Sequence, residues 1–196
     1  MYYRPAVACR AYFFERRQVL VKEILNTKST LSTLMRLSYE IVEKNQNVDS
    51  ICIVGIRRRG AAIAKIIAEN IKKIGACEVL CGEVDISLYR DDLSSIKDQP
   101  IVNETAIDFF VEGKTVVLVD DVLFTGRTAR AAMDAVVALG RPAKIQLCEL
   151  VDRGHRELPI RADFVGKNVP TSLSEKICVK MPEYDAGQMS VNIERK

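Results

Sequence analysis

The stretch Val116-Val117-Leu118-Val119 is short and wholly apolar, and Asp120-Asp121 follow it directly. After Val122-Leu123-Phe124 come Thr125-Gly126-Arg127-Thr128, which open a helical pattern over 127–139 that ends at Gly140 and Pro142. A continuous apolar run of that kind suits a strand buried on both faces, as in a parallel sheet covered by helices. The same order recurs earlier. Ile51-Cys52-Ile53-Val54-Gly55-Ile56 is a buried-strand candidate, Arg57-Arg58-Arg59-Gly60 is its turn, and a helix is expected over 61–74. Residues 79–89 read as another strand, with Asp85 its odd member, and 144–151 as a further one. Leu31, Leu34, Leu37, Ile41 and Val42 recur at helical spacing, with Ser29 or Thr30 as N-cap and Asn45 as the stop. Short strand candidates follow at 162–166, 176–181 and 189–193. Strands alternating with helices predict an α/β fold: a central parallel sheet flanked by helices. In such sheets ligands bind beyond the carboxyl ends of the strands.

Composition narrows the function classes. The chain has 196 residues, 48% hydrophobic and 28% charged, enough for one domain with a real core. No apolar run approaches the roughly 20 residues that span a bilayer, and the first 18 residues lack a stretch of signal-peptide length. The six cysteines form no C-x-x-C, and Cys52 and Cys148 sit in apolar runs, so a reducing, cytoplasmic setting is expected. With one histidine, His155, a Cys/His metal site is not expected. The net charge of +3 is too small to argue for nucleic acid by itself.

Chemistry concentrates at the two turns. A helix N-terminus presents free N–H groups and a positive dipole end, which favour an anion. Gly126 lets the backbone approach a phosphate closely, and Thr125 and Thr128 add hydroxyls. Asp120 and Asp121 are acceptors suited to two ribose hydroxyls, or to a metal bound to them. The loop therefore reads as a site for a phosphorylated ribose; the plainer alternative is a corner whose acids only cap the helix. It is not a Walker loop, because G-x-x-x-x-G-K is absent. Three consecutive arginines at 57–59 would repel one another without an anion, and pyrophosphate is the natural guest; the alternative is a solvated basic turn. His155 is given no acid–base work. Arg156 and Arg161 are either contacts for RNA phosphates or surface charges.

These segments resemble type I phosphoribosyltransferases, and more closely the PyrR family, bifunctional pyrimidine-operon attenuators and uracil phosphoribosyltransferases. The resemblance covers roughly 31–196. It rests on Val54-Gly55-Ile56-Arg57-Arg58-Arg59-Gly60, on Asp85-Ile86-Ser87-Leu88-Tyr89-Arg90-Asp91-Asp92-Leu93, on the loop with Phe124, on Gly140-Arg141-Pro142, and above all on Val151-Asp152-Arg153-Gly154-His155-Arg156-Glu157-Leu158-Pro159-Ile160-Arg161-Ala162-Asp163. An aromatic residue at Phe124 is itself a trait of the family, where it is normally tyrosine. The resemblance implies one phosphoribosyltransferase domain over 19–196 with a small hood of short strands over about 152–180, preceded by an extension at 1–18.

What it implies for the site is specific. Arg57, Arg58, Arg59, Val119, Asp120, Asp121, Val122, Leu123, Phe124, Thr125, Gly126, Arg127 and Thr128 would bind phosphoribosyl pyrophosphate (PRPP) or UMP, with Asp120, Asp121 and Arg57 catalytic. Mg2+ would arrive with PRPP near Asp120 and Asp121. Arg153 and the backbone near Ile177 would contact uracil, and a loop with Tyr89, Arg90, Asp91 and Asp92 would close over the site. Arg156 and Arg161 would bind a pyrimidine-operon mRNA stem-loop under control of UMP or UTP. A homodimer or larger homo-oligomer is expected. The first helix departs from the family, which commonly carries threonine and histidine where this chain has Met35 and Tyr39. Met35 cannot donate a hydrogen bond and Tyr39 cannot become cationic. The alternative function is therefore uracil transfer alone, with RNA binding altered or lost.

Overall fold

A computed structural model describes residues 20–45, 47–75, 78–86 and 106–195. The expected extension at 1–18 and the loop residues Tyr89, Arg90, Asp91 and Asp92 lie outside them. The described chain runs β1 (Leu20–Leu25), α1 (Thr27–Lys44), β2 (Ile51–Ile56), α2 (Arg59–Lys73), β3 (Leu80–Val84), β4 (Thr115–Leu123), α3 (Arg127–Ala138), β5 (Lys144–Asp152), β6 (Phe164–Asn168), β7 (Glu175–Lys180) and β8 (Ser190–Arg195).

Five strands form the expected sheet, in the order β3-β2-β4-β5-β6, and every pairing is parallel. Alternation along each strand feeds two apolar layers. Ile53, Val117, Val119 and Leu150 pack with Ile63, Ile67 and Ile71 of α2 and Leu34, Leu37 and Ile41 of α1. Cys52, Val54, Val116, Leu118 and Leu147 pack against Ala132, Ala135 and Val136 of α3. Truncating one of these residues to alanine, Ile53 for example, costs about 2–5 kcal/mol. The chain passes from β2 to its neighbour β3, then returns to β2's other side with β4. That reversal opens a crevice at the carboxyl ends of β2 and β4.

Several boundaries differ from the sequence expectation. Helix α1 starts at Thr27, because Asn26 rather than Ser29 or Thr30 is its N-cap; the Asn26 side chain accepts from the Ser29 N–H at 2.9 Å. Thr30 instead donates its hydroxyl to the Asn26 carbonyl. Asn45 ends the helix as expected. Strand β4 continues to Leu123, so both acids lie within it. Its pairing with β2 stops at Gly55↔Val119, whereas its pairing with β5 runs to Leu123↔Asp152. The acids therefore lie beyond the last pair that β4 makes with β2.

The short strands divide between two sheets. β6 joins the main sheet, paired with β5. β7 instead pairs with β8, and β8 with β1, in a separate antiparallel sheet. Ile177, Val179 and Val191 of that sheet pack into the α1–α2 layer. No helix among the described residues is long and apolar enough to cross a membrane.

Candidate functional site

Beyond the carboxyl end of β4, on its β5 side, lies a cavity of about 390 Å³ lined by Asp120, Phe124, Thr125, Gly126, Thr128 and Glu149, among others. Gly126 is the N-cap of α3, with a left-handed φ of 92° that favours glycine. The Thr125 hydroxyl accepts from the Arg127 N–H at 3.3 Å. Its carbonyl accepts from the N–H groups of Glu157 and Leu158 at 3.0 and 3.1 Å. Arg127 also lines the cavity and donates from Nε to Glu157 at 2.7 Å. Val122 and Leu123 carry the chain from the acids to this loop. The Val119 side chain is buried in the core.

Three carboxylates lie near one another here, Asp120 and Glu149 on the cavity wall and Asp121 next to Asp120. Asp120 is 8% exposed, and its Oδ1 accepts the Asp121 N–H at 2.9 Å. Burial pushes the Asp121 carboxyl up, while the Arg59 charge opposes the shift. The third is Glu149, in register with Asp120 on β5 and 1% exposed. Its Oε2 has no hydrogen-bond partner among the described residues. Burial first, then Asp120 and Asp121, push its carboxyl well above the usual range. Glu149 was absent from the expected site. Its signal was a charge inside an otherwise apolar run, where an acid is almost never buried without a reason.

The arginine turn differs from expectation. Repulsion among three open guanidinium groups does not arise, because two of them are paired internally. Arg57 donates from Nε to Glu83 at 3.0 Å and from a terminal nitrogen to Asp85 at 3.4 Å. Arg59 meets Asp185 at 2.9 Å, and that bond holds the Asp185 carboxyl below its ordinary range. Arg58 is exposed and without an ion pair among the described residues. Gly60 permits α2 to start against the sheet: a Cβ there would collide with the Val119 carbonyl oxygen and come within 3.2 Å of Asp120 Oδ1.

The segment after β5 covers the cavity from the other side. The Arg153 guanidinium sits over the Phe124 ring, 4.2 Å from its centroid. It donates to the Thr171 hydroxyl at 3.0 Å and to the Glu175 carbonyl at 2.8 Å, and its burial lowers its pKa. His155 sits edge-on to Phe124, with Nε2 2.5 Å from the Thr171 carbonyl. Ile177 buries its side chain in the core, so only its backbone is available to a ligand. Arg156 is not an open cation: its side chain is 23% exposed and pairs with Asp152. Arg161 is exposed.

Known proteins resemble this chain in sequence and in fold. The phosphoribosyl transferase domain family matches residues 21–185. The chain is 56% identical over 164 residues to the "Bifunctional protein PyrR" of Caldicellulosiruptor bescii, covering 84% of this chain and 90% of the relative. The protein of the same name from Clostridium acetobutylicum is 55% identical over 174 residues, covering 89% and 97%. Among solved structures, a hypoxanthine phosphoribosyltransferase of Trypanosoma cruzi matches with TM-score 0.70 and 16% identity, covering 89% of this chain and 95% of that one. A hypoxanthine-guanine phosphoribosyltransferase of Bacillus anthracis matches with TM-score 0.66 and 18% identity, covering 88% and 98%. At those identities the two structures share the fold alone. The close sequence relatives decide the family: this chain belongs to the PyrR family of phosphoribosyl transferase domain proteins.

Proposed function

We propose that this protein transfers phosphoribose from PRPP to uracil, giving UMP and pyrophosphate, and binds a pyrimidine-operon mRNA stem-loop in response to uridine nucleotides. The observation that carries the reading is the cavity lined by Asp120 and by the Gly126-capped start of α3, with Asp121 next to Asp120 in the strand. The N–H groups and hydroxyls of residues 125–128 suit the 5′-phosphate. Asp120 and Asp121 suit the ribose hydroxyls. Arg58, with Arg57 and Arg59 behind it, suits the pyrophosphate. Uracil N1 forms a bond to the anomeric carbon as the bond to pyrophosphate breaks, and the N1 proton leaves to solvent or product. Positioning and stabilisation of charge do the work. The acids offset positive charge that develops on the ring, and the arginine turn offsets negative charge on the leaving group. The Arg153–Phe124 stack forms a wall against which the base can lie.

Mg2+ fits this donor set. Among the described residues, no three or more His, Cys, Asp or Glu are grouped to hold a metal ion. Mg2+ commonly takes one or two carboxylates with phosphate oxygens, and Asp120 and Asp121 would be the carboxylates. The ion would add positive charge against the pyrophosphate.

A gel shift with the operon leader, with and without UMP, tests the RNA half. A preference for the leader over a scrambled RNA that UMP strengthens is expected. Equal affinity for both leaves uracil transfer alone, the reading favoured by the exposed Tyr39 and half-buried Met35 on α1.

A further inference from the structure

Arg156 stands between two stretches of chain that the proposed function uses separately. Its Nε donates to the Ile160 carbonyl at 3.0 Å. One terminal nitrogen donates to the carbonyls of Phe124 at 2.7 Å, Gly154 at 3.1 Å and Leu123 at 3.4 Å. The other pairs with the Asp152 carboxylate. Leu123 and Phe124 lead directly into Thr125 and Gly126, and Ile160 immediately precedes Arg161. Backbone bonds join the same two stretches: the Glu157 and Leu158 N–H groups to Thr125, and the Arg153 N–H to Leu123 at 3.1 Å.

A side chain that reads RNA phosphates needs donors facing solvent. Those of Arg156 face carbonyls of its own chain. We infer that Arg156 is a positioning residue rather than a nucleic-acid contact, fastening the turn 154–160 to the base of the phosphate loop. One guanidinium then holds both the loop that meets the ribose phosphate and the segment that presents Arg161. The planar fork is essential, because its donors reach several carbonyls at fixed angles, which the single ammonium of lysine does not reproduce. The inference deepens the proposed function and rests on it for its two activity readouts; its structural readout does not.

The test uses Arg156→Ala, Arg156→Lys and Arg161→Ala in the full chain. Hydrogen exchange of the Glu157, Leu158 and Arg153 amides is measured without ligand. Both Arg156 variants are expected to exchange faster at these amides, with no change in Arg161→Ala. Unchanged protection in both Arg156 variants overturns the inference. Should Arg156→Ala not fold, Arg156→Lys carries the same comparison. In activity, both Arg156 variants lower kcat/KM for PRPP by up to about a hundredfold, as a misplaced loop does. RNA affinity falls with the salt slope kept at the wild-type value, whereas Arg161→Ala reduces that slope by about one. A flattened slope in Arg156→Ala, or full recovery of RNA affinity in Arg156→Lys, makes Arg156 a phosphate contact and overturns the inference. If the wild type makes no uridylate and binds no leader, the functional reading fails alone, and amide protection still decides the role of Arg156.

Discussion

After β2 the chain turns through Arg57, Arg58 and Arg59 into α2; after β4 it turns through Phe124, Thr125 and Gly126 into α3. Both turns leave a buried parallel strand, both open a helix, and they lie at the same edge of the sheet. They differ in how their charges are met. Register places Glu83 of β3 opposite Gly55, so an opposite charge stands beside the arginines. Register places Glu149 of β5 opposite Asp120, so a like charge stands beside the acids. The arginine turn is largely neutralised from within. The acid loop is crowded, the Asp121 and Glu149 carboxyls are raised, and its helix start faces an open cavity. A strand's own sequence sets the sign of its turn, while the neighbouring strand sets whether that charge is quenched or concentrated.

Removing the crowded charge should have the largest effect. The double change Asp120→Asn and Asp121→Asn is expected to lower uridylate formation by about a thousandfold, with an unchanged circular dichroism spectrum. Activity close to wild type would break the assignment of that loop. Next comes Gly60→Ala, which forces the start of α2 away from β4. It should cost about 1–3 kcal/mol and lower the Tm by several degrees in a thermal melt; an unshifted Tm means the junction is looser than the geometry states.

Glu149→Gln sharpens the comparison through pH. The folded protein raises this carboxyl, so its contribution to stability is full below the ordinary glutamate pKa of about 4.3 and is lost as pH rises toward the raised value. Glutamine has no proton to lose. The variant should melt about 2–4 °C higher than wild type at pH 8, with the gap shrinking toward pH 4. A gap that widens on acidification contradicts a raised Glu149. The smallest effect belongs to Asp185→Asn, which unpairs Arg59. That ion pair is partly exposed, so the loss in chemical denaturation should stay within about 1 kcal/mol. A larger loss would show that the arginine turn depends on its internal partner more than the acid loop depends on any.

Much of this architecture was legible from local pattern. The run at Ile51–Ile56 and the glycine-capped helix after Phe124 stand where their spacing placed them, because apolar continuity and helix starts are short-range features. Other features were hidden by distance. Asp185 lies 126 residues from Arg59, and nothing near either residue marks the other as its partner. The strand at Phe164–Asn168 read as part of a hood, because a short strand does not announce which sheet it joins. Arg156 stands in a basic, exposed-looking string. Only the fold of that string over Leu123 and Phe124 turns its guanidinium inward.

By itself the sequence determined the alternation of buried strands and helices, the acid pair at the end of one strand, and the helix start that suits a phosphate. Each depends on residues within a turn or two of one another. Only the tertiary structure decided that Glu149 joins the acids, that Arg57 and Arg59 are paired, and that Arg156 braces the loop. These follow from strand register and from one segment folding over another. Both set distances between residues far apart in the chain, and charges and hydrogen bonds act through distance.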